Sequence, residues 1–350
     1  MPLIAQAPTH RVILGLMTFG PDKSTGARVT DIGEFNKVLD LFQSRGYNEV
    51  DTARVYIGGK QEAFTRDAKW RDRGLTLATK IQYPSSGGMN VHDKVLESMD
   101  TSLKELGADC VDIVYLHAAD RATPFADTLS ALDKLHKAGK FVRLGLSNFT
   151  AFEVAEVVMT CKYNGWVRPS VFQAMYSCIT RSIETELVHA CRRYGLDIVV
   201  YNPIAGGLFS GKIKSTDMVP AEGRFSDTAK SGKVYRSRYF RDSTFRALQL
   251  IEGAVEKHSL TMIETALRWV VHHSALKIKD GNDGVIIGIS NIEQLDKNLT
   301  DLEKGPLPEE VVKALDEAWG IAKVDTVNYW HLDLKYGYDT RQALFGEGAR

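Results

Sequence analysis

The chain has few cysteines, no excess of charge and no long apolar run, and each lack narrows what it can do. Its four cysteines, Cys110, Cys161, Cys178 and Cys191, are widely scattered, with no C-x-x-C and no histidine at a zinc-ligand spacing. They read as reduced thiols, which suits a reducing compartment and leaves no metal site to expect. Lys plus Arg and Asp plus Glu both number 44 among 350 residues. With no net field to hold nucleic acid or an anionic membrane, the favoured partner is a small molecule. No apolar stretch approaches the ~20 residues of a membrane span. The start, MPLIAQAPTHRVILGL, lacks a basic region followed by a long apolar one. The expectation is a soluble, cytosolic protein. A G-x-G-x-x-G after the first apolar run is also missing, which argues against a Rossmann domain.

What is present is a rhythm. Strand-like runs at 12–20, 47–53, 75–81, 111–118, 141–148, 170–176, 197–204 and 284–290 alternate with amphipathic segments, several of them stopped by glycine. Eight such alternations indicate an α/β fold of the (β/α)₈ barrel type. A doubly wound sheet also alternates, but here polar residues recur at the ends of most strands rather than at one switch point. With 44% hydrophobic residues the chain can bury a large core. We expect one barrel domain over 1–350, its core at about 10–330 and a tail at 331–350 whose end is mobile. The stretch from about Gly207 to Arg241 has no sustained period, and is expected to form a long loop over the barrel mouth.

Four polar residues stand out against this rhythm. Asp51 ends YNEVD, Lys80 ends LTLATK and His117 ends VDIVYLH, while Tyr56 follows Asp51 by five. Singly, such residues are more often solvated or merely hydrogen-bonded. At successive ends of parallel strands they would converge on one rim, where barrel enzymes keep their chemistry. A tyrosine beside an ammonium is suited to giving a proton to a developing alkoxide, because a cation stabilises the phenolate. Lys80 would be that cation, Asp51 its anchor and His117 the group that orients a carbonyl. None is a redox group, so the electrons must come from a cofactor.

A second cluster points to phosphate. Gly206 to Lys212 satisfies G-x-x-x-x-G-K, but Ile213 stands where a P-loop needs Ser or Thr, so ATP hydrolysis is disfavoured. The glycines still let backbone N–H groups approach an anion, and Lys212 adds charge. Arg224, in EGRF, can contribute. In GISNIEQLDKNL, Ser290 can bind a ligand or cap the following helix, and Gln294 and Asn298 share a helix face. Together these suit one extended ligand with two phosphate-bearing ends.

The ordered elements D-T-A-x-x-Y, A-T-K, L-H, G-L-S-N, N-P-x-A-G-G-L-x-x-G-K and G-x-S-N-x-x-Q-L-x-x-N-L resemble those of the aldo-keto reductases. Within that superfamily the chain is most similar to the aflatoxin-aldehyde reductase branch, through LGLMTFG, YNPIAGGLFSGK, the YRSRYFR run, ALRWVVHHS and VNYW. The resemblance implies NADPH-dependent reduction of aldehydes or ketones, with a detoxifying role. It implies Tyr56 as proton donor, Lys80 and Asp51 as its partners and His117 as the carbonyl-orienting residue. Ser147, Asn148 and Gln173 would hold the nicotinamide carboxamide, with Tyr201 stacked on the ring. Asn202, Leu208, Ser210, Gly211 and Lys212 would line the pyrophosphate, Arg224, Ser290, Gln294 and Asn298 would surround the adenosine 2′-phosphate, and Gly288 would also contact the cofactor. Met17 and Arg238 match substrate-pocket residues, the latter a carboxylate binder. One departure is His331, which stands after VNYW where relatives that reduce succinic semialdehyde carry Arg. Members of the branch are often dimers, an analogy that extends a homodimer to this chain as an expectation.

Two other readings compete. Lys80 could form a Schiff base in an aldolase-like barrel. Alternatively, the chain could be a cofactor-binding regulatory subunit like the potassium-channel β subunits, although those replace the orienting histidine by Asn and this chain retains His117.

Overall fold

The computed structural model describes residues 10–229, 231–279 and 281–346. Eight parallel strands close into a barrel in sequential order, with β8 paired back onto β1. They are β1 (Arg11–Gly15), β2 (Glu49–Asp51), β3 (Thr76–Lys80), β4 (Val111–Leu116), β5 (Phe141–Ser147), β6 (Pro169–Met175), β7 (Asp197–Tyr201) and β8 (Gly284–Gly288). All eight strand-like runs of the sequence therefore form strands, and the fold is a (β/α)₈ barrel. The strands stop short of the ends of those runs, because the last residues turn outward into the rim loops. That is why the polar residues closing the runs lie at the mouth.

Around the barrel run α1 (Ile32–Ser44), α2 (Gln61–Asp67), α3 (His92–Leu106), α4 (Phe125–Lys137), α5 (Ala151–Asn164) and α6 (Leu187–Tyr194). After them come α7 (Gly232–Tyr239), α8 (Asp242–Lys257), α9 (Met262–His272), α10 (Ile292–Leu302), α11 (Glu309–Ala322) and α12 (Thr340–Phe345). Local chemistry sets the boundaries. Thr150 and Glu153 form a reciprocal capping box at the start of α5, and Gly107 ends α3 in the left-handed conformation.

The core has two parts. A large apolar layer lies between strands and helices, and a small one fills the barrel: Ile13, Ala78, Ile113, Tyr115, Val171, Val199 and Ile286. Tyr115 fits only because its neighbour on β5 is Gly145, where a Cβ would lie 2.3 Å from the ring. This plug makes the barrel floor solid and confines any ligand to the mouth.

One expectation needs correcting. The stretch 207–241 is not wholly irregular, since α7 ends it, with Tyr235 and Tyr239 buried one turn apart against Phe225. An eight-residue helix with two apolar anchors among Lys233, Arg236 and Arg238 leaves little periodic signal. The first part of the tail is fastened, whereas the expectation of mobility concerned its end. Arg121 donates to the carbonyls of His331, Leu332 and Asp333 at 2.8, 3.4 and 3.3 Å, and Tyr336 donates to Glu153 at 2.7 Å. Its last residues, 347–350, lie outside the described residues. Among the described residues no helix is long and apolar enough to cross a membrane, and no cluster of His, Cys, Asp or Glu could hold a metal.

Candidate active site

Strand register brings the predicted groups together. Asp51 ends β2 and Lys80 ends β3, next to each other in the barrel wall, and His117 follows β4 directly. The Lys80 ammonium, fully buried, donates to an Asp51 carboxylate oxygen and, at 2.8 Å, to the Thr52 carbonyl. It sits 5.1 Å from the centroid of the Tyr56 ring. The His117 ring meets Tyr56 edge-on at 5.9 Å and Tyr83 edge-on at 5.2 Å.

Tyr56 is held by a turn that few residues could adopt. Residues 56–59 form a single 3₁₀ turn in which Ile57 has φ 51°, a left-handed conformation costly for a β-branched residue. Arg54 braces the turn by binding both the Gly59 carbonyl and Glu62, whose other oxygen accepts from Thr79 on β3 at 2.6 Å. Ile57 in turn packs on Gly20, where a Cβ would come within 2.8 Å of it. The loop after β1 thus props the tyrosine from the other side.

Burial dominates the protonation states. It pushes the Tyr56 phenol well above its usual 10, with the Asp51 charge adding to the effect. The sequence argument expected the opposite shift. At this site desolvation outweighs the one opposing influence, the Arg224 charge, and Tyr56 is a firmly protonated phenol. Burial likewise raises Asp51 and lowers Lys80 against their mutual attraction. His117 falls well below 6.5 through burial, with Lys80 and His331 adding to it, so its imidazole is neutral. Its Nδ1 is enclosed without a hydrogen-bond partner.

Next to these groups the residues closing β5 and β7 form one network. Asn148 and Asn202 follow β5 and β7 directly, each at φ 60°, a conformation asparagine tolerates better than most residues. Asn148 donates to the His117 carbonyl at 2.8 Å and to Ser147 at 3.0 Å, and accepts from the Tyr201 hydroxyl at 2.7 Å. The Gln173 amide nitrogen donates to Asp51 at 2.8 Å, so it steadies the acid. Met17 is half-buried in the turn after β1. Arg238 is not a solvated charge. It lies 5.4 Å over the Tyr235 ring and donates to His331 Nε2 at 3.0 Å, while His331 Nδ1 faces the Tyr83 hydroxyl at 3.3 Å. Burial, with Arg238 beside it, lowers the His331 imidazole to about 3.

A cleft of about 580 Å³ opens between the loops after β1, β7 and β8. Asn202, Ser210, Lys212, Arg224, Gly288, Ser290, Gln294 and Asn298, eight of the residues expected to contact a cofactor, line it. Leu208 and Gly211 do not: Leu208 is buried in the core, and Gly211 ends the turn in the left-handed conformation. Asn291, not Ser290, caps α10, and Gln294 reaches back to the Ser290 N–H at 2.9 Å. The size suits a dinucleotide, and the cationic and hydroxyl donors suit its phosphates.

The sequence reading missed Arg28, Arg54, Glu62 and Tyr83. Arg28 reaches the cleft from the β1–α1 loop, and no local pattern marks it. Tyr83 did leave a signal, as an aromatic three residues beyond a catalytic strand end.

Comparison with known proteins agrees with this geometry. The chain is 41% identical over 297 residues to an aldo-keto reductase of Pseudocercospora fijiensis, covering 84% of this chain and 100% of that protein. It is 40% identical over 330 residues to aflatoxin B1 aldehyde reductase member 4 of Homo sapiens, covering 91% and 96% of the two chains. Against aflatoxin B1 aldehyde reductase member 2 of Rattus norvegicus it is 40% identical over 328 residues, covering 91% and 87%. Residues 11–320, from the first strand to the last long helix, match the sequence profile of the Aldo/keto reductase family, and to that family the chain belongs.

Proposed function

We propose that the chain is a cytosolic, NADPH-dependent reductase that converts aldehydes or ketones to alcohols and so disposes of reactive carbonyls. The observation that carries this reading is the meeting of Tyr56, Lys80, Asp51 and His117 at the rim, beside a cleft rich in phosphate-binding groups. The aldehyde reductases among its relatives support the substrate class.

The cofactor, when bound, supplies hydride. The protein supplies position and a proton. Tyr56 Oη holds that proton, and the ammonium of Lys80 stabilises the phenolate left behind as it is given up. Asp51, steadied by Gln173, fixes the ammonium. A neutral His117 has one N–H to give. With Nδ1 enclosed and unpartnered, placing the proton on Nε2 leaves only a lone pair orphaned, the cheaper of the two arrangements, and directs the donor toward a carbonyl oxygen. Ser147, Asn148 and Tyr201 would hold the nicotinamide end, and the cleft residues the phosphates. Against a Schiff-base role for Lys80 stands its complete burial between Asp51 and the Thr52 carbonyl.

The test is a titration with NADPH and NADH, then turnover on aldehydes with and without a carboxylate. Tyr56→Phe is expected to lower turnover by about 10²- to 10⁴-fold while leaving NADPH affinity unchanged. Tight binding without turnover on any carbonyl would move the assignment to a regulatory protein. Loss of cofactor binding together with activity in Tyr56→Phe would mean that another group is the acid.

A further inference from the structure

The cleft holds two arginines with nothing of opposite charge between them. Arg28 and Arg224 both line it, and burial together with the neighbouring Arg224 lowers the Arg28 guanidinium below its ordinary value. Among the described residues neither has a carboxylate within ion-pairing distance. Arg28 donates to the Ser290 hydroxyl at 2.7 Å, and Arg224 lies 5.0 Å over the Tyr235 ring with its Nη1 3.3 Å from that hydroxyl. Glu222, the one acid lining the cleft, is exposed. Half-buried like charges that face each other across a pocket without a counter-ion are costly unless an anion joins them.

The position of Arg28 is built. Its backbone N–H donates to the Thr18 carbonyl at 2.7 Å, and the Thr18 hydroxyl donates to the Ile289 carbonyl at 2.7 Å. The loop after β1 is therefore pinned to the loop after β8, one residue from Ser290. On the far side Gly288 lies beside the Arg224 guanidinium, whose nitrogen is 4.0 Å from where a Cβ would stand.

We infer that Arg28 is a further specificity-determining residue: with Arg224 and Ser290 it clamps a phosphate monoester at the adenosine end of the cofactor, and so selects a 2′-phosphorylated dinucleotide. The inference rests on the dinucleotide reading of the cleft and goes beyond it, because it assigns discrimination to a residue of the β1–α1 loop. Two planar guanidinium forks can share the three oxygens of a dianion, an arrangement that one arginine with neutral donors cannot match.

Calorimetric titration with adenosine 2′,5′-bisphosphate and adenosine 5′-monophosphate, which differ only in the 2′-phosphate, isolates this contact without turnover. For Arg28→Met the expected result is about 10- to 100-fold weaker binding of the bisphosphate and of NADPH, with the monophosphate and NADH unchanged. Arg28→Lys, which keeps the charge but loses the fork, should fall between, and its thermal midpoint checks that the loop is intact. Equal weakening of both nucleotides, or no change in either, overturns the inference. The carbonyl-reductase reading fails separately: wild-type protein would then prefer the bisphosphate and yet reduce no carbonyl.

Discussion

Lys80→Met is the perturbation whose consequences the structure specifies most closely. The ammonium is fully buried and its side-chain partner, Asp51, nearly so. Removing the cation strands a carboxylate whose remaining side-chain partner is Gln173. Breaking a buried pair from one side costs about 3–5 kcal/mol, against about 0.2–1 for an exposed pair. In a chain of 350 residues, at an unfolding entropy of about 2.1 cal/mol/K per residue, that lowers the thermal midpoint by roughly 4–7 °C. The penalty has a sign in pH. Burial already raises Asp51, and losing Lys80 raises it further, so the cost is present above the unfolded carboxyl value and vanishes as pH falls below it. The double variant Asp51→Asn/Lys80→Met keeps an acceptor for Gln173 and buries no charge, so it is expected within about 1–2 kcal/mol of wild type. Denaturant melts of the four proteins give the coupling energy. If the double variant is as unstable as the two singles added together, the pair is not an isolated buried couple and the reasoning fails. If it is stable yet inactive, the pair is held for chemistry at some expense of stability.

Acid should weaken the fold well before carboxylates titrate. His117 and His331 are held neutral in the folded chain but charge near 6.5 when unfolded, so stability is full above that value and falls as pH drops through it. At pH 5 the loss is at most roughly 2 kcal/mol from each, which urea melts across pH 5–8 would detect; a flat profile would contradict the assigned neutrality. Gly145→Ala places a methyl into the Tyr115 ring, and overpacking of at least about 1–3 kcal/mol is expected. The paired change Gly145→Ala/Tyr115→Phe should not rescue it, since the clash is with ring carbons; recovery would mean that the barrel floor is more pliable than drawn.

The barrel and its polar rim were legible because both depend on short-range order. Eight apolar runs separated by amphipathic segments, with polar residues closing most of them, favour a closed barrel over a doubly wound sheet, and a polar residue at the end of such a strand faces the mouth. Asp51, Lys80 and His117 could therefore be placed by position alone. The cleft-lining residues were legible for a related reason, because Gly206, Gly207 and the G-x-S-N turn constrain their own backbones. The short helix carrying Tyr235, Arg238 and Tyr239 escaped because it has too few turns to show a period.

What the chain order could not carry is which distant groups meet and which protonation state they take. Arg28 lies 262 residues from Ser290, and its role emerges only when closure of β8 onto β1 brings their loops together. His331 is a lone polar residue in sequence, but in the fold it accepts from Arg238 and faces Tyr83. Tyr56 reverses the expected pKa shift because burial is a property of the assembled site, and there desolvation, with the Asp51 charge, exceeds the pull of Arg224. The sequence by itself determined the barrel, its polar rim and the family to which they belong. Tertiary structure alone decided the contacts that close across the barrel seam and the balance of burial against charge, because both depend on neighbours that the chain brings together only on folding.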